Sequence, residues 1–348
     1  MLRHPDFSID RSAFFAGRQI QFQPNTQARN LLSLAEKRGG EATVKWYRKV
    51  LTATRADMRV VSEIHGLLVE EAIELSSGVT LLPVKQLSES PQAQALKDQG
   101  RSAFEFRQPA AAVVQLRGVE AIQDYQASHK IFLSEVDKIR RTATAFTLSE
   151  KAAPTTGISW AEFDDPDLDA ARLGYGWQSP TYDGRQPDWP EQISSDLTGL
   201  VEKYLALRGP VAKACDVALA RLNLARRRKA AGDQAIEGGV CLEALLADST
   251  PGDLTYKLKL RTALFLGGTM PQRRSTSALV GRFYSLRGKV VHGQSQGDSA
   301  GDRETAELGL VLCLNVLTKI VENASLPNLA DLELSGGAPA EPLTSSTE

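Results

Sequence analysis

The sequence predicts an α+β protein, with an N-terminal domain of mixed helices and strands over residues 1–185 and an all-α bundle over 186–330. Three observations lead there. Residues 59–84 and 111–119 carry short strand-like runs, whereas from 190 onward apolar residues recur at helical spacing almost without a break. Between these regions, "KAAPTTGISWAEFDDPDLDAARLGYGWQSPTYDGRQPDWP" is rich in Pro, Gly, Asp and aromatics and has no clear period. It reads as irregular structure leading to a boundary near 185. The charge divides along the same line. Residues 201–300 hold 16 Lys+Arg and 8 Asp+Glu, a balance of +8, and the rest holds 25 against 34, a balance of −9. Either the basic half meets a polyanion, or the two halves attract each other.

Taken in order, residues 27–56 read as helix interrupted at Gly39-Gly40. "VEEAIELSSGVTLLPV" is two short runs around a turn, a hairpin signal, and "FEFRQ" and "AAVVQLRGV" continue the strand pattern. A helix is expected from 119 to 145. The acidic group Glu162, Asp164, Asp165, Asp167 and Asp169 lacks the Gly and the closing Glu of a calcium loop and reads as a solvated acidic loop. Helices are expected near 190–208, 210–230, 233–247, 253–266, 276–292 and 303–324, joined by short connections that suit an antiparallel bundle. The remainder, 331–348, has the composition of a disordered tail.

Composition narrows the function. With 42% hydrophobic and 24% charged residues in 348, the chain has ordinary globular composition. The apolar run "LGLVLCLNVL" is too short to span a bilayer, and a soluble, cytoplasmic protein with no membrane partner is expected. Cys215, Cys241 and Cys313 have neither metal-ligand nor disulfide spacing and read as buried thiols. The sequence shows no P-loop, dinucleotide glycine fingerprint or HExxH, so no cofactor and no metal are expected.

The chain has only four histidines, and one of them closes "FYSLRGKVVHG". Leu279, Phe283, Leu286 and Val290 form the apolar stripe of that helix, with "STS" as its expected cap. Five steps separate Arg287 from His292, so the two lie about 140° apart on the helix wheel. One straight helix does not aim both at the same atom. Gly281, Ser285, Gly288 and His292 share a face of small residues that allows close approach of another helix, in the same bundle or in a second copy. The alternative is simpler: His292 suits the C-terminal dipole and Gly293 is an ordinary residue beyond a helix end.

Two further charges interrupt apolar patterns. Glu243 lies on the face of Ile236 and Val240, and Arg261 lies in the stripe of Leu254, Leu258 and Phe265. A buried ion needs a partner, so Glu243 and Arg261 are expected to pair, with Arg287 as the competing cation. Arg226, Arg227, Arg228 and Lys229 close another helix, where they either suit the dipole or contact phosphates.

Taken together, "AIEGGVCLEALL", "YKLKLRTALFL" and "FYSLRGKVVHG" resemble the HEPN superfamily, and within it the ApeA-like branch of prokaryotic antiviral and stress proteins. The resemblance covers roughly residues 205–325. It implies a homodimeric helical bundle in which Arg287 and His292 form a ribonuclease motif that faces its symmetry mate. It also implies metal-independent RNA cleavage. The expected Glu243–Arg261 pair either supports such a site from behind or is a buried ion pair that fixes helix register. Histidine moves protons near neutral pH, and arginine holds a permanent charge that can grip two phosphate oxygens.

Overall fold

The computed structural model describes residues 11–22, 24–99, 110–171, 191–248, 252–293 and 299–334. The chain divides into two compact units, Met1–Arg141 with Thr156–Thr181, and Thr142–Thr155 with Tyr182–Glu348. The second unit is therefore discontinuous in sequence.

The first unit opens with a hairpin, β1 (Arg11–Phe15) and β2 (Arg18–Phe22), whose turn places Ala16 and Gly17 at φ 42° and 77°. Two helices follow, α1 (Pro24–Arg38) and α2 (Gly40–Thr52). The break falls at the expected glycines, with Gly39 at φ 85° preceding α2. Next come β3 (Arg55–His65), the two-residue strands β4 (Leu67–Leu68) and β5 (Ile73–Glu74), β6 (Val79–Pro83), α3 (Pro91–Gln99), β7 (Ala110–Glu120) and α4 (Tyr125–Ala145). The segment "FEFRQ" lies outside the described residues. Strand β8 (Thr155–Phe163) and the short helix α5 (Pro166–Ala170) complete the unit's elements.

The main sheet has the order β5-β6-β7-β3-β8. β7 is antiparallel to both β3, with Val60 opposite Val114, and β6, with Leu81 opposite Ala112. One face carries Val61, Ala111 and Trp160 against Leu87, Ala93 and Leu96. Burial of these side chains drives the packing of α3 on the sheet.

Four readings need correction here. The hairpin β1–β2 carried no recognised strand signal. The helix expected from 119 begins at Tyr125, because β7 runs on to Glu120, which pairs with Arg55 across the ladder at 2.6 Å. The segment read as irregular contains β8. Its polar residues hid the strand, yet they are satisfied inside: the Ser159 and Ser62 hydroxyls are 2.7 Å apart, and Trp160 Nε1 donates to Glu162 at 3.1 Å. The acidic group is likewise not a solvated loop. Glu162 and Asp164 face Arg59, and Lys49 lies 2.7 and 2.8 Å from Asp165 and Asp167.

The second unit is built from α6 (Ser195–Ala206), α7 (Gly209–Arg227), α8 (Ala231–Leu246), α9 (Leu254–Leu266), α10 (Met270–Val291), α11 (Ala300–Asn323) and α12 (Leu329–Leu334), after the two-residue strand β9 (Glu191–Gln192). Its core gathers Leu219, Leu242, Leu258, Phe283, Val316 and Ile320, all fully buried. Residues 331–334 of the expected tail belong to α12, and 335–348 lie outside the described residues. Among the described residues, no helix is long and apolar enough to cross a membrane.

Candidate functional site

Helix α10 starts earlier than "STS" suggests. Thr269 caps it in a reciprocal capping box with Gln272, and a proline follows at the start of the helix. The helix closes at His292, the C-cap residue, followed by Gly293 at φ 68°. The end signals were therefore legible, and the start was not.

Two glycines of α8 seat α10. A Cβ at Gly238 would lie 2.7 Å from the Phe283 ring, and one at Gly309 of α11 would lie 2.3 Å from it. Phe283 is thus clamped between backbones on two helices. At Gly239 an added Cβ would come within 2.9 Å of Arg287 Cδ. The missing side chain makes room for the arginine to lie along α8. The Tyr284 hydroxyl lies 2.9 Å from the Gly239 carbonyl oxygen and 3.2 Å from Glu243 Oε1, its single proton serving one or the other. Burial and the neighbouring Glu243 carboxylate push the Tyr284 pKa well above its ordinary value, so the phenol stays protonated.

The ion pair in this groove joins Glu243 to Arg287, with Nη2 3.3 Å from Oε1. The guanidinium carbon lies 5.6 Å from the centre of the Tyr284 ring. Arg287 Nε is buried with no acceptor among the described residues, while the side chain as a whole stays 30% exposed. The expected Glu243–Arg261 pair is a correction. Arg261 is 3% exposed and fully engaged elsewhere, donating to Glu333 at 2.6 Å, to the Leu246 carbonyl at 2.9 Å and to Asp248 at 2.8 Å. Burial works against its charge, but the two carboxylates outweigh that and raise its pKa. Both of these carboxylates lie outside the helix patterns that guided the pairing.

His292 is exposed, and no contact among the described residues joins it to Arg287. Arg287 lies against α8, and His292 caps the exposed end of α10. Of the small-residue face, Ser285 is exposed and nothing lies within 4 Å of a Cβ at Gly288. Gly281 is not an open contact point, because the Lys259 side chain of α9 passes 3.5 Å from where its Cβ would be.

The basic run at the end of α7 does not form one surface. Arg226 donates to the Thr147 and Ala152 carbonyls, both at 2.8 Å, and burial lowers its pKa to about 10. Arg227 donates to Asn223 at 3.0 Å, and Asn223 in turn donates to Thr147 and Pro154. Arg228 lies 3.8 Å from Glu237, and Lys229 is exposed. Arg226 is therefore a structural anchor and is not free for phosphate. An open cleft of about 600 Å³, lined by Ser149, Glu191, Ser194 and Lys203 among others, contains none of the expected site residues.

The sequence reading missed Gly239 and Tyr284. The signal was there: two adjacent glycines inside a helix cost about 1 kcal/mol each relative to alanine, which marks a close approach. Among the described residues, no group of three or more His, Cys, Asp or Glu side chains could hold a metal ion. Compared with protein-family models, curated proteins and solved structures, the chain matches none.

Proposed function

We propose that the helical unit is a metal-independent endoribonuclease of the HEPN type, working as a homodimer in the cytoplasm. The observation that carries this reading is the state of Arg287. Its side chain is fixed by Glu243 and Tyr284 yet remains 30% exposed, on the same helix as an open histidine. A guanidinium held in this way is ready to donate to phosphate oxygens. Because Arg287 and His292 diverge within one chain, the cleft takes its second histidine from another copy that meets it at the open Gly288–His292 end. One imidazole removes the 2′-hydroxyl proton as that oxygen bonds to phosphorus. The other protonates the departing 5′-oxygen as its bond to phosphorus breaks. Arg287 stabilises the charge on the pentacoordinate phosphorus. The products are a 2′,3′-cyclic phosphate and a 5′-hydroxyl. The sequence resemblance supplies the setting, antiphage defence or a toxin.

One observation favours a second reading. Glu243 already balances Arg287, which suits a module that binds RNA, a nucleotide or a protein without turnover. Purified protein incubated with mixed single-stranded RNA, with and without EDTA, separates the two. Arg287→Ala and His292→Ala should each lower cleavage by about a hundredfold or more. Cleavage should survive the chelator and leave cyclic phosphate ends. Undiminished cleavage by His292→Ala, or strict dependence on a divalent ion, would overturn the nuclease reading.

A further inference from the structure

We infer that Arg274, Arg282 and Lys289 of α10, with Lys259 of α9, form a track for the phosphate backbone of single-stranded RNA that leads to His292. The inference rests on the RNA reading above and names the surface that holds the polymer.

Residues 270–293 contain five Lys or Arg and no Asp or Glu. Of these, Arg274, Arg282 and Lys289 are exposed, and spacings of eight and seven residues place them on one side of the helix. Ala278 and Ser285, also exposed, lie between them and keep the stripe low enough for a polymer to approach. Lys259 joins the stripe where its chain crosses Gly281. From Arg274 to His292 the track runs about 27 Å. Among the described residues, none of these four cations makes an ion pair.

Stability does not explain the pattern. A solvated helix gains from alternating charge at i, i+4 and from carboxylates in its first turn. Helix α10 has no acidic residue in its first turn and places Arg273 and Arg274 near its positive end. Helix α11, of similar length, begins with Asp302 and Glu304 and mixes both signs. Arg273 and Arg274 oppose the dipole, only Lys289 lies in the last turn where a cation suits it, and no carboxylate on the helix balances the row, so an external polyanion offsets a cost that the helix itself leaves uncompensated. Two copies pressed together along the stripe would face like charges, so copies meet through Gly288 and His292 at the helix end, and Lys289, about 100° round the helix from Gly288, stays open with the rest of the stripe. The run at Arg226–Lys229, the obvious basic motif of the sequence, is largely engaged inside the unit and cannot serve instead.

The test is fluorescence anisotropy of the full chain with a labelled single-stranded RNA, over 50 to 200 mM KCl. Four phosphate contacts give a salt slope near −2.8, which is about a 50-fold loss of affinity over that range. Lys259→Ala, Arg274→Ala, Arg282→Ala and Lys289→Ala together should remove that share of the slope, and each single change about 0.7 of a unit. A melting temperature no lower than that of the unaltered protein establishes that the variants fold. Arg282→Glu, a single exposed change, should weaken binding more than Arg282→Ala. An unchanged slope in the fourfold variant would overturn the track. So would equal binding of polyglutamate, or a larger loss from Arg228→Ala with Lys229→Ala. Cleavage is scored separately. RNA binding that follows the stripe in a protein that never cleaves keeps the track and removes the nuclease. Cleavage with undiminished binding in the fourfold variant does the reverse.

Discussion

Arg261 and Arg287 sit on neighbouring helices of the same unit, α9 and α10. Arg261 has two carboxylates and a carbonyl around it and is 3% exposed. Arg287 has one carboxylate at 3.3 Å, a buried Nε without an acceptor, and 30% exposure. The difference separates a charge that holds a fold together from one that is held for use. A guanidinium with each nitrogen bonded inside the fold and almost no exposure is closed to a ligand. An incompletely satisfied one, fixed by an aromatic ring and a single anion, keeps donors for an incoming phosphate.

The largest effect should come from breaking the saturated site. Arg261→Ala leaves the Leu246 carbonyl without its donor and Asp248 and Glu333 without their shared cation. Because those carboxylates are 30% and 36% exposed, the loss should be about 3 kcal/mol, near the low end for a broken buried pair. A shift of less than about 1 kcal/mol in urea unfolding would mean that Arg261 is not the anchor described.

The seat of Arg287 should respond next. Gly309→Ala forces a methyl group into the Phe283 ring and should destabilise by about 1 to 3 kcal/mol. Gly288→Ala meets nothing within 4 Å and should stabilise the helix by up to about 1 kcal/mol. Equal melting temperatures for the two variants would contradict the clamp at Phe283.

Glu243→Gln should have the smallest effect on stability, below about 1 kcal/mol. The pair it breaks is partly exposed and screened, with side chains 30% and 23% accessible. RNA affinity should rise, because the guanidinium loses its internal competitor. A fall in affinity would show that holding Arg287 in place outweighs the competition from Glu243.

Helix positions in the second unit were legible to within a few residues, because apolar spacing, prolines and glycines mark them directly. The pairing of Glu243 was not. A helix wheel tells which face a charge is on, but not which of two facing cations reaches it. Arg261 was taken up by Asp248, just beyond α8, and by Glu333, in a segment whose composition read as a tail. The strand β8 was obscured for a related reason: Ser159 and Glu162 look like loop residues until their partners Ser62, Ser88 and Trp160 are known. In both cases one deciding contact was distant in sequence, Glu333 for Arg261 and Ser62 and Ser88 for β8. The open end of α10, by contrast, depended on local signals, and His292 and Gly293 stand where the sequence placed them.

The arm Thr142–Thr155 has a consequence for how the chain is made. It leaves the ribosome 69 to 79 residues ahead of Asn223 and Arg226, whose side chains bond to it. At about 5 to 20 residues per second, that is an interval of several seconds. Strand β8, immediately after the arm, can join the sheet within that time. The carbonyls of Thr147, Ala152 and Pro154 meanwhile wait for α7. The chain order therefore lets the sheet form before the helical unit can close, and a fragment that begins at residue 186 is born without the groups on which Arg226 docks.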